Sequence, residues 1–346
     1  MARFERVEWN PVEWGKVLDN FPDRVVFQTP AWLSFLAETQ QGQVVIAALK
    51  EGNATLGYFS GVIIRKFGCP ILGSPFRGWS TPYLGFNLSP DVPRRVAAAA
   101  LPEFAFKQLG CIHFEVTDSH TTEVDVAGLK AVPVAHQTIE VDLTRPEDVI
   151  FNTMTSTCRR NIRHAEKAGV VIEEASDEAF AEEYTNQYKD VLAKQGLVPH
   201  FGAGRIRSLI RHVHPTGMLL LLRARNPEGQ CIATGIYPAT HRIAFYNNGA
   251  SLRQHQKLRP NELLHWHAMR YWKQRGMHSY NMEGTMDFKQ KFGGHQTQTV
   301  MFYQSRYRGL TRLRASALPL GRAVLRLMWK LKGGAGKKPD TASVEE

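Results

Sequence analysis

Residues 217–250, GMLLLLRARNPEGQCIATGIYPATHRIAFYNNGA, restrict the fold more than any other stretch of the chain. Apolar and β-branched residues fill three runs of strand length. Turn signals separate them at Asn226-Pro227-Glu228-Gly229 and near Thr240-His241. Such a pattern makes an antiparallel meander. Around it the period changes from two to that of a helix. A long helix is expected over about 146–168, then strand VVIEEA and a helix near 177–194. After the meander come the helix PNELLHWHAMRYWKQRG, the strand HSYNME and a last strand TQTVMFYQSR.

The first half carries the same order more weakly. TPAWLSFLAETQ opens a helix with Thr29 as N-cap and Pro30 at the first helical position. QVVIAALKEGNATLGYFSGVIIRKFG holds two β-rich runs that meet at Glu51-Gly52-Asn53, a hairpin signal. SPDVPRRVAAAALPEFAFKQLG reads as a helix and CIHFEVTD as the strand after it. The expected class is α+β: two similar domains, each a mixed, mostly antiparallel sheet with flanking helices. The boundaries are placed at 1–145, 146–309 and 310–346, the last being a basic amphipathic helix and a disordered tail.

Charge supports the third segment as a separate arm. The net charge is +11, yet ten basic residues fall between Met301 and Lys338 with no acid among them. The body is only mildly basic, which argues against a protein coated for nucleic acid. LTRLRASALPLGRAVLRLMWKLKGG alternates leucine and arginine at helical spacing, with a break expected at Pro319. Residues 310–332, with Leu325, Leu327, Met328, Trp329 and Leu331 among the cations, suit an anionic membrane surface. A tRNA backbone would be attracted by the same charges.

Other features exclude chemistry. Cys69, Cys111, Cys158 and Cys231 form no CxxC pair and have no zinc-type spacing, so no metal is expected and the thiols imply a reducing compartment. His265 and His267 are two apart on a helix and do not share a ligand easily. MARFERVEWN lacks an apolar signal region, and no apolar run approaches a membrane span. The chain is expected to be cytoplasmic, peripheral at the inner face of the membrane where the arm engages it.

Two stretches point to anion or acyl chemistry. In DFKQKFGG (287–294), Phe288 and Phe292 share a face of one helical turn and hold Lys289 and Lys291 to either side. Lys291 is expected in solvent. In TSTCRRNIRHAEKAG, Arg159, Arg163 and Lys167 form a cationic stripe, for which phosphate is the natural partner of Arg159 or Arg163.

Taken in order, TCRRNIRHAEKAGVVI, AFYNNGAS, RPNELLHWHAMRYWKQRG and YNMEGTMDFKQKFGG resemble the FemAB-like branch of the GNAT superfamily, the peptidoglycan-bridge aminoacyltransferases and their relatives. The resemblance covers roughly residues 150–305, and the first half looks like the degenerate first GNAT copy of such proteins. It implies an N-acyltransferase that passes an acyl or aminoacyl group to an amine of a cell-envelope or polysaccharide precursor.

It also implies a sheet splayed between RIAFYNNG and HSYNME, with Tyr246, Asn247, Asn248, Tyr280 and Glu283 lining the cleft. Glu283 is the general-base candidate, Tyr246 the leaving-group acid and Lys289 the cation that meets developing negative charge. Arg77, Trp79 and Tyr83 of SPFRGWSTPYLGF offer a second contact surface at the domain cleft. No tightly bound cofactor is expected. The co-substrate is an aminoacyl-tRNA or an acyl-CoA, and the acceptor bears an amine. Acetyl-CoA-using relatives cradle pyrophosphate with a glycine-rich turn. Here Leu258-Arg259-Pro260-Asn261 stands in its place, leaving Lys257, Arg259 and Asn261 as donor contacts and favouring a donor other than CoA. An acyl-CoA-dependent N-acetyltransferase and a non-catalytic GNAT-fold module binding membrane or RNA stay open as alternatives. The oligomeric state is not encoded legibly.

Overall fold

The computed structural model describes residues 1–194, 197, 199, 201–307 and 309. The arm over 310–332 and the tail beyond it lie outside the described residues.

Among these residues fourteen strands join in one sheet. They are β1 (Arg3–Val7), β2 (Gln43–Glu51), β3 (Ala54–Lys66), β4 (Cys69–Ser74), β5 (Gly85–Leu88), β6 (His113–Thr117) and β7 (Val132–Asp142). The second half adds β8 (Val171–Glu174), β9 (Leu219–Arg225), β10 (Cys231–Thr240), β11 (Ile243–Phe245), β12 (Asn248–Ser251), β13 (Ser279–Asn281) and β14 (His295–Ser305). Helices α1 (Pro11–Leu18), α2 (Pro30–Gln40), α3 (Arg94–Glu103) and α4 (Glu123–Val126) flank the first half. Helices α5 (Glu147–Thr153), α6 (Ser156–Lys167), α7 (Ala179–Lys194), α8 (Ala203–Val213), α9 (Pro260–Gln274) and α10 (Asp287–Gln290) flank the second.

The expected meander is present as β9, β10 and the broken strand β11–β12, both parts of which run antiparallel to β10. The hairpin β2–β3 turns at the residues that signalled it, pairing Glu51 with Ala54. Each half contains a parallel strand pair at the matching place. β4 runs parallel to β6, with Leu72 opposite Phe114, and β11 runs parallel to β13, with Ala244 opposite Tyr280. The α+β tandem arrangement read from the sequence is therefore borne out.

What the periodicity missed is how the halves interlock. The sheet order is β1-β2-β3-β4-β6-β14-β7-β13-β11-β10-β9-β8. β7 lies between β14 and β13, both later in the chain, and β14 in turn bridges β6 and β7. The last strand of each half thus closes the sheet of the other. The cores follow suit: one buried cluster contains Phe27, Trp32 and Leu36 together with Leu219, Ile236 and Phe245. The rings of Phe27 and Phe245 meet edge to face at 4.7 Å. Such a pair adds about 1 kcal/mol to the area that it buries.

The helix expected over 146–168 is two helices. Met154 leaves helical geometry with ψ 151°, and Thr155 restarts the chain as N-cap, its hydroxyl accepting the Cys158 N–H. The break has a use. The Thr155 N–H donates to the Lys291 carbonyl at 2.9 Å, docking the DFKQKFGG turn on the gap between α5 and α6. Gly293 is required there: its φ is +78°, and a Cβ would lie 2.4 Å from the Thr153 carbonyl oxygen.

Candidate active site

The parallel pairing of β11 and β13 ends abruptly. The Tyr246 N–H still reaches the Asn281 carbonyl at 2.8 Å, but the next N–H, of Asn247, turns to Ile236 on β10. Beyond this point β12 pairs with β10 and, among the described residues, not with β13. The opening expected between the two strands is here.

β13 leads directly into a strained turn. Glu283 has φ +51°, a left-handed conformation uncommon for a residue with a side chain. It is held from three sides. Its N–H donates to Asn281 Oδ1 at 2.8 Å, which also accepts the Thr138 hydroxyl at 2.7 Å. Gly284 N–H donates to the same Thr138 hydroxyl at 3.1 Å. Lys289 Nζ donates to the Glu283 carbonyl. Thr138 belongs to β7, so the first half's last strand braces the turn of the second half.

Lys289 is buried at 7% exposure, and its Nζ lies 5.6 Å from the centre of the Tyr246 ring. Phe288 and Phe292 sit 5.5 Å apart, as their spacing predicted. Tyr246 is half-buried, and its hydroxyl rests against bare backbone: a Cβ on Gly249 would lie 2.8 Å from it. Glu283, Lys289 and Tyr246 are thus brought to one place.

Two cavities approach this place. One of about 220 Å³ is lined by Tyr246, Gly249, Asn261, His265 and Phe288. Another of about 320 Å³ lies on the seam between the halves and is lined by Tyr83, Glu140, Phe245, Asn281 and Thr299. The first touches the 281–288 segment through Phe288, the second through Asn281.

The remaining candidates spread out. Asn247 spans the seam, its Nδ2 donating to the Ser80 carbonyl at 2.9 Å, and Asn248 Nδ2 donates to Asn247 Oδ1 at 3.2 Å. Tyr280 is fully buried, its hydroxyl 2.8 Å from His265 Nδ1, and so does not face the opening. Tyr83 is buried beside the His136 ring at 5.4 Å. Burial, then the Glu283 charge, holds the Tyr83 hydroxyl well above its ordinary pKa. Trp79 packs on Phe76 and gives its carbonyl to Arg205, while Arg77 is exposed.

Two members of the cationic stripe on α6 already have partners within the chain. Arg159 caps α5, donating to the Asn152 and Met154 carbonyls, and Arg163 stacks on Phe151 at 5.3 Å. Lys257 and Arg259 are exposed at the start of α9, where Arg259 takes φ +57°. Asn261 donates to the Ser251 hydroxyl at 3.2 Å and faces the smaller cavity.

Lys291 corrects the expectation of a solvated side chain. Its Nζ lies 3.2 Å from Glu262 Oε1, the same oxygen that accepts Asn161 Nδ2 at 2.8 Å. Glu262 is a buried carboxylate on α9, and Lys291 is the cation that makes its burial tolerable. Sequence reasoning missed Glu262, Asn161 and His136, since nothing in their local spacing marks them.

It also set His265 aside as a poor metal ligand. His265 is buried between Tyr246 (4.4 Å), Phe292 (4.9 Å) and Phe288 (5.5 Å). Burial, with the Lys289 and Lys291 charges next, pushes its pKa from 6.5 down to about 3. Above pH 6.5 the ring is neutral in both folded and unfolded chains. Below it the unfolded chain binds a proton that the folded site refuses. Stability is therefore expected to fall as pH drops from 6.5 towards about 3, by up to about 1.4 kcal/mol per pH unit from this residue. Urea midpoints of the wild type and His265→Gln should converge at low pH; parallel curves would exclude this role.

The second half, with its opening between β11 and β13, has the fold of a GNAT acyltransferase domain. Residues 153–290 match the family model of an acetyltransferase (GNAT) domain. Across both halves the chain is similar in structure to FemX, with a TM-score of 0.71 at 13% identity over 89% of this chain and 99% of that one. A tandem GNAT protein from the clavulanic acid biosynthesis pathway follows the same fold, with a TM-score of 0.55 at 11% identity over 88% and 98%. So does the C-terminal domain of a putative lysylphosphatidylglycerol synthetase from Agrobacterium fabrum, with a TM-score of 0.55 at 13% identity over 91% and 97%. At these identities the likeness is one of fold, and at that level the FemAB-like resemblance holds. No curated protein matches the sequence. Among the described residues no group of three His, Cys, Asp or Glu could hold a metal ion, and no helix is long and apolar enough to cross a membrane.

Proposed function

We propose that the chain is a FemAB-like N-acyltransferase that passes an acyl or aminoacyl group to an amine of a cell-envelope or polysaccharide precursor. The observation that carries this reading is the pair of cavities meeting the two ends of the 281–288 segment. A donor in the smaller one and an acceptor in the seam would bring their reacting groups together beside Glu283 and Lys289.

In the step itself the amine lone pair attacks the acyl carbonyl carbon, a C–N bond forms, and the ester C–O or thioester C–S bond breaks. The amine proton passes to a base, the role assigned in this reading to the Glu283 carboxylate. Lys289 offers its charge to the oxyanion in a site where burial strengthens it. Tyr246, with its hydroxyl against Gly249, supplies a proton to the leaving oxygen or sulfur. Asn247 and Asn248 border the opening, and Tyr83 borders the seam cavity.

The start of α9 favours an aminoacyl-tRNA as donor. Its first position is Pro260, preceded by a left-handed Arg259, so the backbone donors a CoA pyrophosphate would use are reduced. The domain division at 145 and 309 is retained as a functional one, with the second half supplying the catalytic groups.

Calorimetric titration with acetyl-CoA, uncharged tRNA and charged tRNA tests the donor. Binding of charged tRNA alone is the expected result. Micromolar binding of acetyl-CoA would instead make this an acyl-CoA-dependent enzyme, which the tandem GNAT likeness also accommodates. Absence of binding to all three would defeat the donor assignment.

A further inference from the structure

Far from the cleft, one end of the sheet gathers three chain segments. β3 ends in Arg65 and Lys66, and the turn into β4 carries Phe67. Beside it, the Ile112 N–H donates to the Pro70 carbonyl at 3.0 Å, and the Arg306 N–H donates to the Ile112 carbonyl at 2.9 Å. The exit of β14 therefore lies one segment away from the turn.

Phe67 has its side chain wholly in water, at 104% relative exposure, and its φ is +50°. A bulky aromatic rarely adopts that conformation, and here it carries the ring at the outermost point of the hairpin. Arg65 is exposed and donates to the Gly68 carbonyl at 3.0 Å. Tyr307, 56% exposed, adds a second aromatic at the β14 exit, with the Arg306 guanidinium 5.7 Å from its ring centre. Among the described residues no carboxylate pairs with Arg65, Lys66 or Arg306. In the sequence nine more basic residues follow Arg306 up to Lys338, with no acid between them.

We propose that this end of the sheet docks on an anionic lipid bilayer, with Phe67 inserted at the interface and Arg65, Lys66 and Arg306 among the headgroups. An aromatic exposed on a rigid turn gains by entering the interfacial region, and each nearby cation gains from the negative surface potential. Nucleic acid fits less well. Bases stack on aromatic platforms within a groove, whereas Phe67 stands at the tip of a hairpin.

The placement also separates docking from chemistry. β14 starts beside Glu140 and the cleft and ends at this patch, eleven residues away. That is roughly 35 Å.

Flotation of the full chain with vesicles tests the proposal directly. Vesicles of phosphatidylcholine alone and of an equal mixture with phosphatidylglycerol are compared, with binding to tRNA measured in parallel. The wild type should float with the anionic vesicles only. Phe67→Ala should lower its partition by about tenfold, the loss expected for one buried aromatic. Arg65→Gln with Lys66→Gln should lower it by a similar factor and flatten its salt dependence. All these positions are exposed, so melting temperatures should not move. Unchanged flotation of Phe67→Ala, or equal binding to neutral vesicles, would overturn the proposal. Phe67-dependent binding to tRNA without vesicle binding would reassign the patch to RNA.

Discussion

Lys289→Met should lower acyl transfer by roughly a hundredfold to a thousandfold, the loss typical of one electrostatic group at a developing oxyanion. Methionine keeps an unbranched stem of similar reach beside the Tyr246 ring, so packing is largely retained. What is lost is the ammonium, which donates to the Glu283 carbonyl and lies over the Tyr246 ring. The effect should fall on kcat, because an interaction made in the transition state alone lowers kcat and kcat/KM together. Single-turnover release of the acyl group from whichever donor binds in calorimetry would measure it. A rate within threefold or so of wild type, from a variant with wild-type melting, would remove Lys289 from the chemistry. An equal loss of donor affinity would instead place it in ground-state binding.

Lys291→Met addresses the neighbouring lysine, and its expected effect is on stability. Removing one partner of a buried ion pair strands the other, at a cost of about 3–5 kcal/mol. Lys291 keeps 26% of its side chain exposed and Glu262 retains the Asn161 hydrogen bond, so the lower end of that range, about 3 kcal/mol, is expected. The pairing makes a sharper statement through a double variant. Lys291→Met with Glu262→Gln should recover most of the loss, because the stranded charge is gone. Urea unfolding of the two single variants and the double measures the coupling. Additive losses would show that the pair does not depend on its charge.

The two lysines show how far local spacing carries. Phe288 and Phe292 at i and i+4 predicted their shared face, and Gly293-Gly294 predicted the stop. The same eight residues could not say that Lys289 turns inward over Tyr246, or that Lys291 meets Glu262, 29 positions earlier. The split between α5 and α6 had the same character. Residues 146–168 have helical periodicity throughout, and the break at Met154-Thr155 is stabilised by Lys291, far along the chain. Arg159 looked like a ligand group because its helix lacked neutralising acids. Its partners are the backbone carbonyls of α5, which no side-chain count can reveal.

By itself the sequence determined the elements whose cause is local. Alternating apolar runs and turn residues specified the meander and the β2–β3 hairpin, Thr29-Pro30 specified the start of α2, and the order of the motifs specified the class of fold. Those depend on backbone preference and side-chain period over a few residues. Tertiary structure alone decided the exchange of β7 and β14 between the halves, the bracing of Glu283 by Thr138, and the burial that keeps His265 neutral. Each of these depends on groups separated by tens to more than a hundred residues, whose contact is set by which surfaces the whole chain can bury together.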